Sequence, residues 1–260
     1  MSISVTALPN SRAAIQQRVA AGHITWTRPL AMLVSRTALF VLFQAAIGGI
    51  YALQGTPTPW DASAAWWPVT VTLANLTCIA LLAWLARREG MRWWDLYRVE
   101  RHRVGRELLI LLGLSVIIAP AVQIPNIAVA TWLFGDAQRA FDLFFRPLPL
   151  WAAYICLVLF PLTHVFAELP TYYGYTMPRL AALSGRRWVA IALAAFWHAA
   201  QHCALPLLFD WRFILWRLLM FLPLAFLMAL ILSWRPRLLP YMMVVHGLLD
   251  FPLVLMLLSP

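Results

Sequence analysis

Seven apolar runs, each near the length that an α-helix needs to cross a bilayer, dominate this chain. A helix rises about 1.5 Å per residue, so about 20 apolar residues cover the hydrocarbon core. The runs are Leu30–Leu53, Ala64–Ala86, Leu108–Leu133, Leu148–Met177, Trp188–Leu207, Phe213–Leu232 and Leu238–Leu258. Backbone polar groups in lipid must be satisfied within the segment that carries them. The expected fold is therefore all-α: a polytopic membrane protein of about seven transmembrane helices, with a polar site among the later spans. Composition agrees, with 63% of residues apolar and 12% charged, against roughly half and a quarter in soluble domains. So little polar sequence separates the runs that one membrane domain is expected. It divides into a cytoplasmic N-terminal segment (1–29), N-terminal spans with an interfacial loop (30–147), and later spans carrying the polar motifs (148–260).

All 20 basic residues are arginine, and the net charge is +10. These arginines lie between apolar runs, as membrane topology demands, and form no basic stripe with interleaved aromatics. No nucleic-acid partner is expected; the bilayer is. With the N-terminus in the cytoplasm, fifteen arginines fall on the inner side and four (Arg139, Arg146, Arg212, Arg217) on the outer, with Arg36 left near the start of the first span. That imbalance favours an N-in orientation, in an integral protein of a bacterial inner membrane. The stretch Arg87–Glu107 mixes charge with aromatics and is expected to lie along the membrane surface. The pairs Trp66–Trp67 and Trp93–Trp94 are expected as interface anchors. Pro120, Pro125, Pro161 and Pro170 predict that the third and fourth spans pack against protein. Cys78, Cys156 and Cys203 fall in apolar runs and are expected as buried packing residues, not a disulfide framework. No apolar core stands among the first 28 residues, so no cleavable signal peptide is expected.

An ionisable side chain at the centre of a span costs about 2.5–3.5 kcal/mol on insertion scales, so such residues usually face a protein interior. Six stand out: His164 and Glu168, His198 and His202, His246 and Asp250. Each pair is spaced i, i+4 and shares one helix face. Three spans can thus point two polar groups each at a common interior, while the sixth reads as a spacer or wall. Outside the fourth, fifth and seventh spans, no span is expected to bury an ionisable group near its centre. Such a cluster could hold a divalent metal such as zinc, activate a water without metal, or relay protons.

The last 110 or so residues resemble the CAAX protease and bacteriocin-processing (Abi) family of intramembrane proteases. The resemblance rests on three motifs in order. The first reads Glu168-Leu169-Pro170-Thr171-Tyr172-Tyr173-Gly174. Leu169 stands where the family has a second glutamate, and Tyr173 where it has an arginine. The second ends at His202, with His198 at the family's phenylalanine position. The third is His246-Gly247-Leu248-Leu249-Asp250. The resemblance implies hydrolysis of a membrane-associated peptide or lipidated protein. Glu168 would be the base, His202 and His246 oxyanion or metal partners, and Asp250 an orienting group. An ionised Asp250 cannot donate to an oxyanion and suits a histidine or a metal better. A metal would take His202 and His246, with His198 and His164 as additions. The departures at Leu169 and Tyr173 keep open a non-catalytic immunity or adaptor protein on the same scaffold, and the polar face keeps open a metal or proton pathway.

Overall fold

The computed structural model describes residues 8–256 and Leu258; residues 1–7 of the N-terminal segment lie outside it. Eleven α-helices and several short 3-10 turns account for most of the described chain. They are α1 (Arg12–Ala20), α2 (Thr27–Leu53), α3 (Pro59–Ala64), α4 (Trp67–Arg88), α5 (Val104–Phe134), α6 (Ala137–Phe144), α7 (Leu150–Leu169), α8 (Met177–Ser184), α9 (Arg187–Ala200), α10 (Trp211–Trp234) and α11 (Leu239–Leu255). Among the described residues, six helical stretches are long and apolar enough to cross a membrane: α2, α4, α5, the α7–α8 unit, α10 and α11. The protein is an all-α polytopic membrane protein.

The fifth apolar run departs from a full span. Its α-helix has 14 residues, about 21 Å at the usual rise. Gln201–Ala204 then tightens into a 3-10 turn before Pro206. A residue before proline is steered away from helix, and a proline ring cannot continue one. The fourth run is longer than expected: α7 continues through a π-helical stretch, Pro170–Thr176, into α8. Every residue of that wide turn is buried, and single π-turns within helices often mark functional sites.

The third span, α5, keeps both prolines within one continuous helix and packs along α10 as expected, although few of its residues are buried, Glu107, Leu111 and Ala130 among them. Its apolar surface serves as a lipid-facing wall along α10. The fourth span follows the expectation, for α7 is packed between α4 and α11. The sixth span forms a wall, with α10 packed against α5 and α9, but it also buries Arg217, against the expectation that this span buries no ionisable group. Of the tryptophan pairs, Trp94 is exposed as an anchor should be, but Trp67 belongs to the core, stacked 4.6 Å from Phe144 and edge-on to Phe160. Adjacent helical residues point about 100° apart, so one member of such a pair turns inward. Cys78 and Cys156 are buried and unpaired.

Close approach of α11 to α7 is set by Gly247. A Cβ there would overlap Val165 Cγ2 and stand 3.2 Å from the Pro161 carbonyl. Gly247→Ala is therefore expected to push α11 outward and destabilise the protein by about 1–3 kcal/mol. A melting-temperature comparison in detergent checks this, with Gly49→Ala, whose added Cβ meets nothing, as the control. Equal stability of the two variants would refute the tight seam.

At the arginine-rich end, a second buried network pins the helices together. Arg179 on α8 makes two hydrogen bonds to Glu89, which follows α4: Nε to Oε1 at 2.8 Å and Nη2 to Oε2 at 2.6 Å. Asn10 joins it, accepting from Arg179 Nη1 and donating to the Gly174 carbonyl. Arg179 is thus a buried strut between helices and not a loop charge. Burial lowers the pKa of nearby Arg18 on α1, and the Glu89 charge opposes that effect.

Candidate functional site

Glu168 lies at the last turn of α7, next to the π-helical stretch, and is almost fully buried. Five side chains from five segments reach its carboxylate. Oε2 accepts from Gln201 Nε2 at 2.8 Å and from Arg36 Nη2 at 3.3 Å, and stands 3.2 Å from His164 Nε2. Oε1 is 2.9 Å from His198 Nε2 and 3.6 Å from His246 Nε2. A carboxylate offers about four lone-pair sites on its two oxygens. Oε2 is therefore saturated, while Oε1 holds one close partner and retains room for another beside His246.

Arg36 is the functional residue that ranking by sequence passed over. It sits in the tenth position of α2 and is fully buried. Its guanidinium spreads over three partners: Nε to Gln201 Oε1 at 2.6 Å, Nη1 to Asn75 Oδ1 at 2.7 Å, and Nη2 to Glu168. This contradicts the expectation that the first span buries no ionisable group. The signal was present, since an arginine that deep in an apolar run demands a partner. Asn75 and Gln201 were missed for another reason: they are neutral, and a search for charges does not register them.

The planar fork of Arg36 orders the rest of the site. Asn75 gives its carbonyl oxygen to Arg36, so its amide nitrogen faces Thr163 Oγ1 at 3.1 Å and His164 Nδ1 at 3.4 Å. That contact makes Nδ1 an acceptor and leaves Nε2–H to point at Glu168, an assignment that follows from the network. Tyr173 works on the opposite side. Its hydroxyl donates to the Ala225 carbonyl at 2.9 Å, so its lone pair receives His198 Nδ1–H at 2.6 Å. On its other side, His198 Nε2 faces Glu168 Oε1 at 2.9 Å.

His202 and His198 separate here. His202 turns Nδ1 to the carbonyl of His198 at 3.0 Å and lays its ring on Phe221, centroids 3.5 Å apart. It makes no hydrogen bond or ion pair to Glu168 among the described residues. The i, i+4 argument assumes 100° per residue, but the 3-10 turn from Gln201 advances about 120°. That change of phase carries Gln201 to the carboxylate and His202 past it. The histidine of this stretch that reaches Glu168 is His198. Arg217 of α10 fixes this turn, donating to the carbonyls of His202 and Leu205.

His246 and Asp250 on α11 complete the cluster. His246 Nδ1 and Asp250 Oδ2 are buried with no hydrogen-bond partner among the described residues. His164, His246 and Asp250 each present a ligand atom, all within 4.8 Å of one another. Of the expected metal residues, His164 and His246 fall in this group together with Asp250, while His198 and His202 do not, among the described residues. Both nitrogens of His198 are already engaged, by Tyr173 and Glu168.

The tyrosine pair offers an internal comparison. Tyr172 Oη is buried without a partner, whereas Tyr173 Oη has two. Tyr173→Phe is expected to cost about 1–3 kcal/mol by stranding His198 Nδ1 and the Ala225 carbonyl. Tyr172→Phe removes an unpaired hydroxyl and is expected to be neutral or stabilising. Thermal melts of the two variants decide it; an equal shift in both would contradict the network.

Comparison with family models, with curated proteins and with solved structures finds no match for the chain.

Proposed function

We propose that this protein is an intramembrane hydrolase that cleaves a peptide bond in a membrane-associated peptide or lipidated protein, as its resemblance to the CAAX protease and Abi family implies. The observation that carries the reading is the state of Glu168. Its Oε2 is pinned by Arg36, Gln201 and His164, and its Oε1 retains an open site between His198 and His246. A water held on Oε1 would lose its proton to the carboxylate as it attacks the carbonyl carbon. The proton that Glu168 takes from the water would pass through His198 Nε2, 2.9 Å from Oε1, to the leaving amine. His246 Nε2 lies on the same side and would donate to the developing oxyanion. Bilayer placement excludes bulk water, which strengthens each of these interactions. The arginine-rich end faces the cytoplasm of a bacterial inner membrane in this reading.

A comparison of cleavage products in membranes carrying wild-type or Glu168→Gln protein tests it. Identical product sets from the two would end the proposal.

The unpartnered His246 Nδ1 and Asp250 Oδ2 favour a second reading, in which a divalent metal sits in this cluster. Two imidazoles and a carboxylate with a neighbouring glutamate base form a donor set suited to zinc. His246 fits well, offering Nδ1 while its other nitrogen faces Glu168. His164 would offer Nε2 only if the ring's proton moved to Nδ1, which ends its acceptance from Asn75. When bound, the metal would polarise a carbonyl and acidify a water; Arg36 and Gln201 would hold Glu168 as they do now. Metal content of the purified protein separates the readings. A stoichiometric metal lost in both His246→Ala and Asp250→Asn supports the second, and metal-free protein that still cleaves supports the first.

A further inference from the structure

A cavity of about 350 Å³ opens at the arginine-rich end, between α1, α8, α9 and the start of α11. It is separate from the Glu168 cluster. Its floor is apolar: Tyr173, Met177, Ile191, Leu232 and Leu239 are all buried there. Its rim is polar, with Arg12 on α1 and Arg187 at the first position of α9, both exposed. Arg187 is steadied at the rim by its Nη2 bond to Ser233 Oγ at 3.0 Å. Among the described residues that line the cavity there are two cations and no carboxylate.

We propose that this cavity binds one acyl chain of an anionic membrane phospholipid, with the phosphate held between Arg12 and Arg187. Three features lead to that occupant. Two arginines that form no ion pair among the described residues, although Asp95, Glu100 and Glu107 line an adjoining cavity with Arg12, are complementary to phosphate, and guanidinium groups bind phosphate oxygens in paired fashion. The apolar floor begins directly below them, so head and tail sites are stacked as in a lipid. The cavity lies at the ends of the membrane helices, where headgroups reside, and basic pockets there bind anionic heads. A volume of 350 Å³ is at the small end of ligand cavities, which span about 300–1,000 Å³, and suits a single chain. The floor also touches the catalytic reading, because Tyr173 lines the cavity and its hydroxyl holds His198. A bound chain would press the ring that positions the Glu168 partner.

Native mass spectrometry and thermal melts of the full chain in an uncharged detergent test the proposal. The probes are oleoyl-lysophosphatidic acid, oleoyl-lysophosphatidylcholine and inorganic phosphate. One lysophosphatidic acid is expected per chain, bound at least tenfold more tightly than the zwitterionic lipid and raising the melting temperature. The double variant Arg12→Gln/Arg187→Gln, at exposed positions, is expected to weaken its binding about tenfold, and Ala182→Phe, which fills the cavity, to abolish it. Equal affinity for the two lipids, a melting shift reproduced by inorganic phosphate alone, or unchanged binding by the double variant would each overturn it.

Discussion

Arg36→Met destabilises the protein by about 3–5 kcal/mol, the usual penalty for removing one partner of a buried ion pair. The expectation rests on how much the guanidinium satisfies. Its side chain is fully enclosed, and Gln201 Oε1, Asn75 Oδ1 and Glu168 Oε2 all lose a donor when it goes. Methionine fills much of the volume, so the loss reports polar groups left unpaired more than a cavity. Arg36→Lys is expected to recover only part of the stability, because one ammonium cannot address three acceptors spread around a plane. The double variant Arg36→Met/Glu168→Gln distinguishes this pairing from general damage. Its loss should fall short of the sum of the single losses by more than about 1 kcal/mol, since contacting residues couple. Denaturation in detergent measures the wild type, the three single variants and the double variant. Arg36→Met within about 0.5 kcal/mol of wild type would show that the ion pair does not hold the bundle.

Glu168→Gln lowers the rate of peptide hydrolysis by about 10²–10⁴-fold, the contribution typical of a positioned general base. Glutamine keeps the shape and leaves one oxygen for Arg36 or for His198, but its amide nitrogen then faces a donor on the other side. Some stability is lost along with the base, so activity must be expressed per folded molecule. A loss of rate that persists at equal folded fraction assigns the chemistry to the carboxylate. Full activity of Glu168→Gln in folded protein would instead favour an adaptor or immunity role on the same scaffold, for which the helix packing is sufficient.

The class of this protein was legible from the lengths of its apolar runs, because a helix that satisfies its own backbone is the simplest way through lipid. So was much of the site. Glu168 and His164 on α7 and His246 and Asp250 on α11 are brought together as their i, i+4 spacing suggests. The fifth run was misread where regular geometry fails: a helix cut short before Pro206 and a 3-10 turn at Gln201 exchange the places of His198 and His202.

Arg36 and Asn75 mark the boundary between local and tertiary information. They lie 132 residues and 88 residues in sequence from the groups they meet, Glu168 and Thr163. No periodicity links residues so far apart. Their meeting depends on how α2, α4 and α7 are rotated about their axes, which is set by side-chain packing. Gly247 acts in the same way, since only its missing Cβ lets α11 settle on Val165 and bring Asp250 to the site. By itself, then, the sequence determined that apolar helices span the membrane and which of them carry paired polar groups, because hydrophobicity and helical period are local properties. The tertiary structure alone decided that an arginine from the first span neutralises Glu168, because a buried charge finds its partner in space and not along the chain.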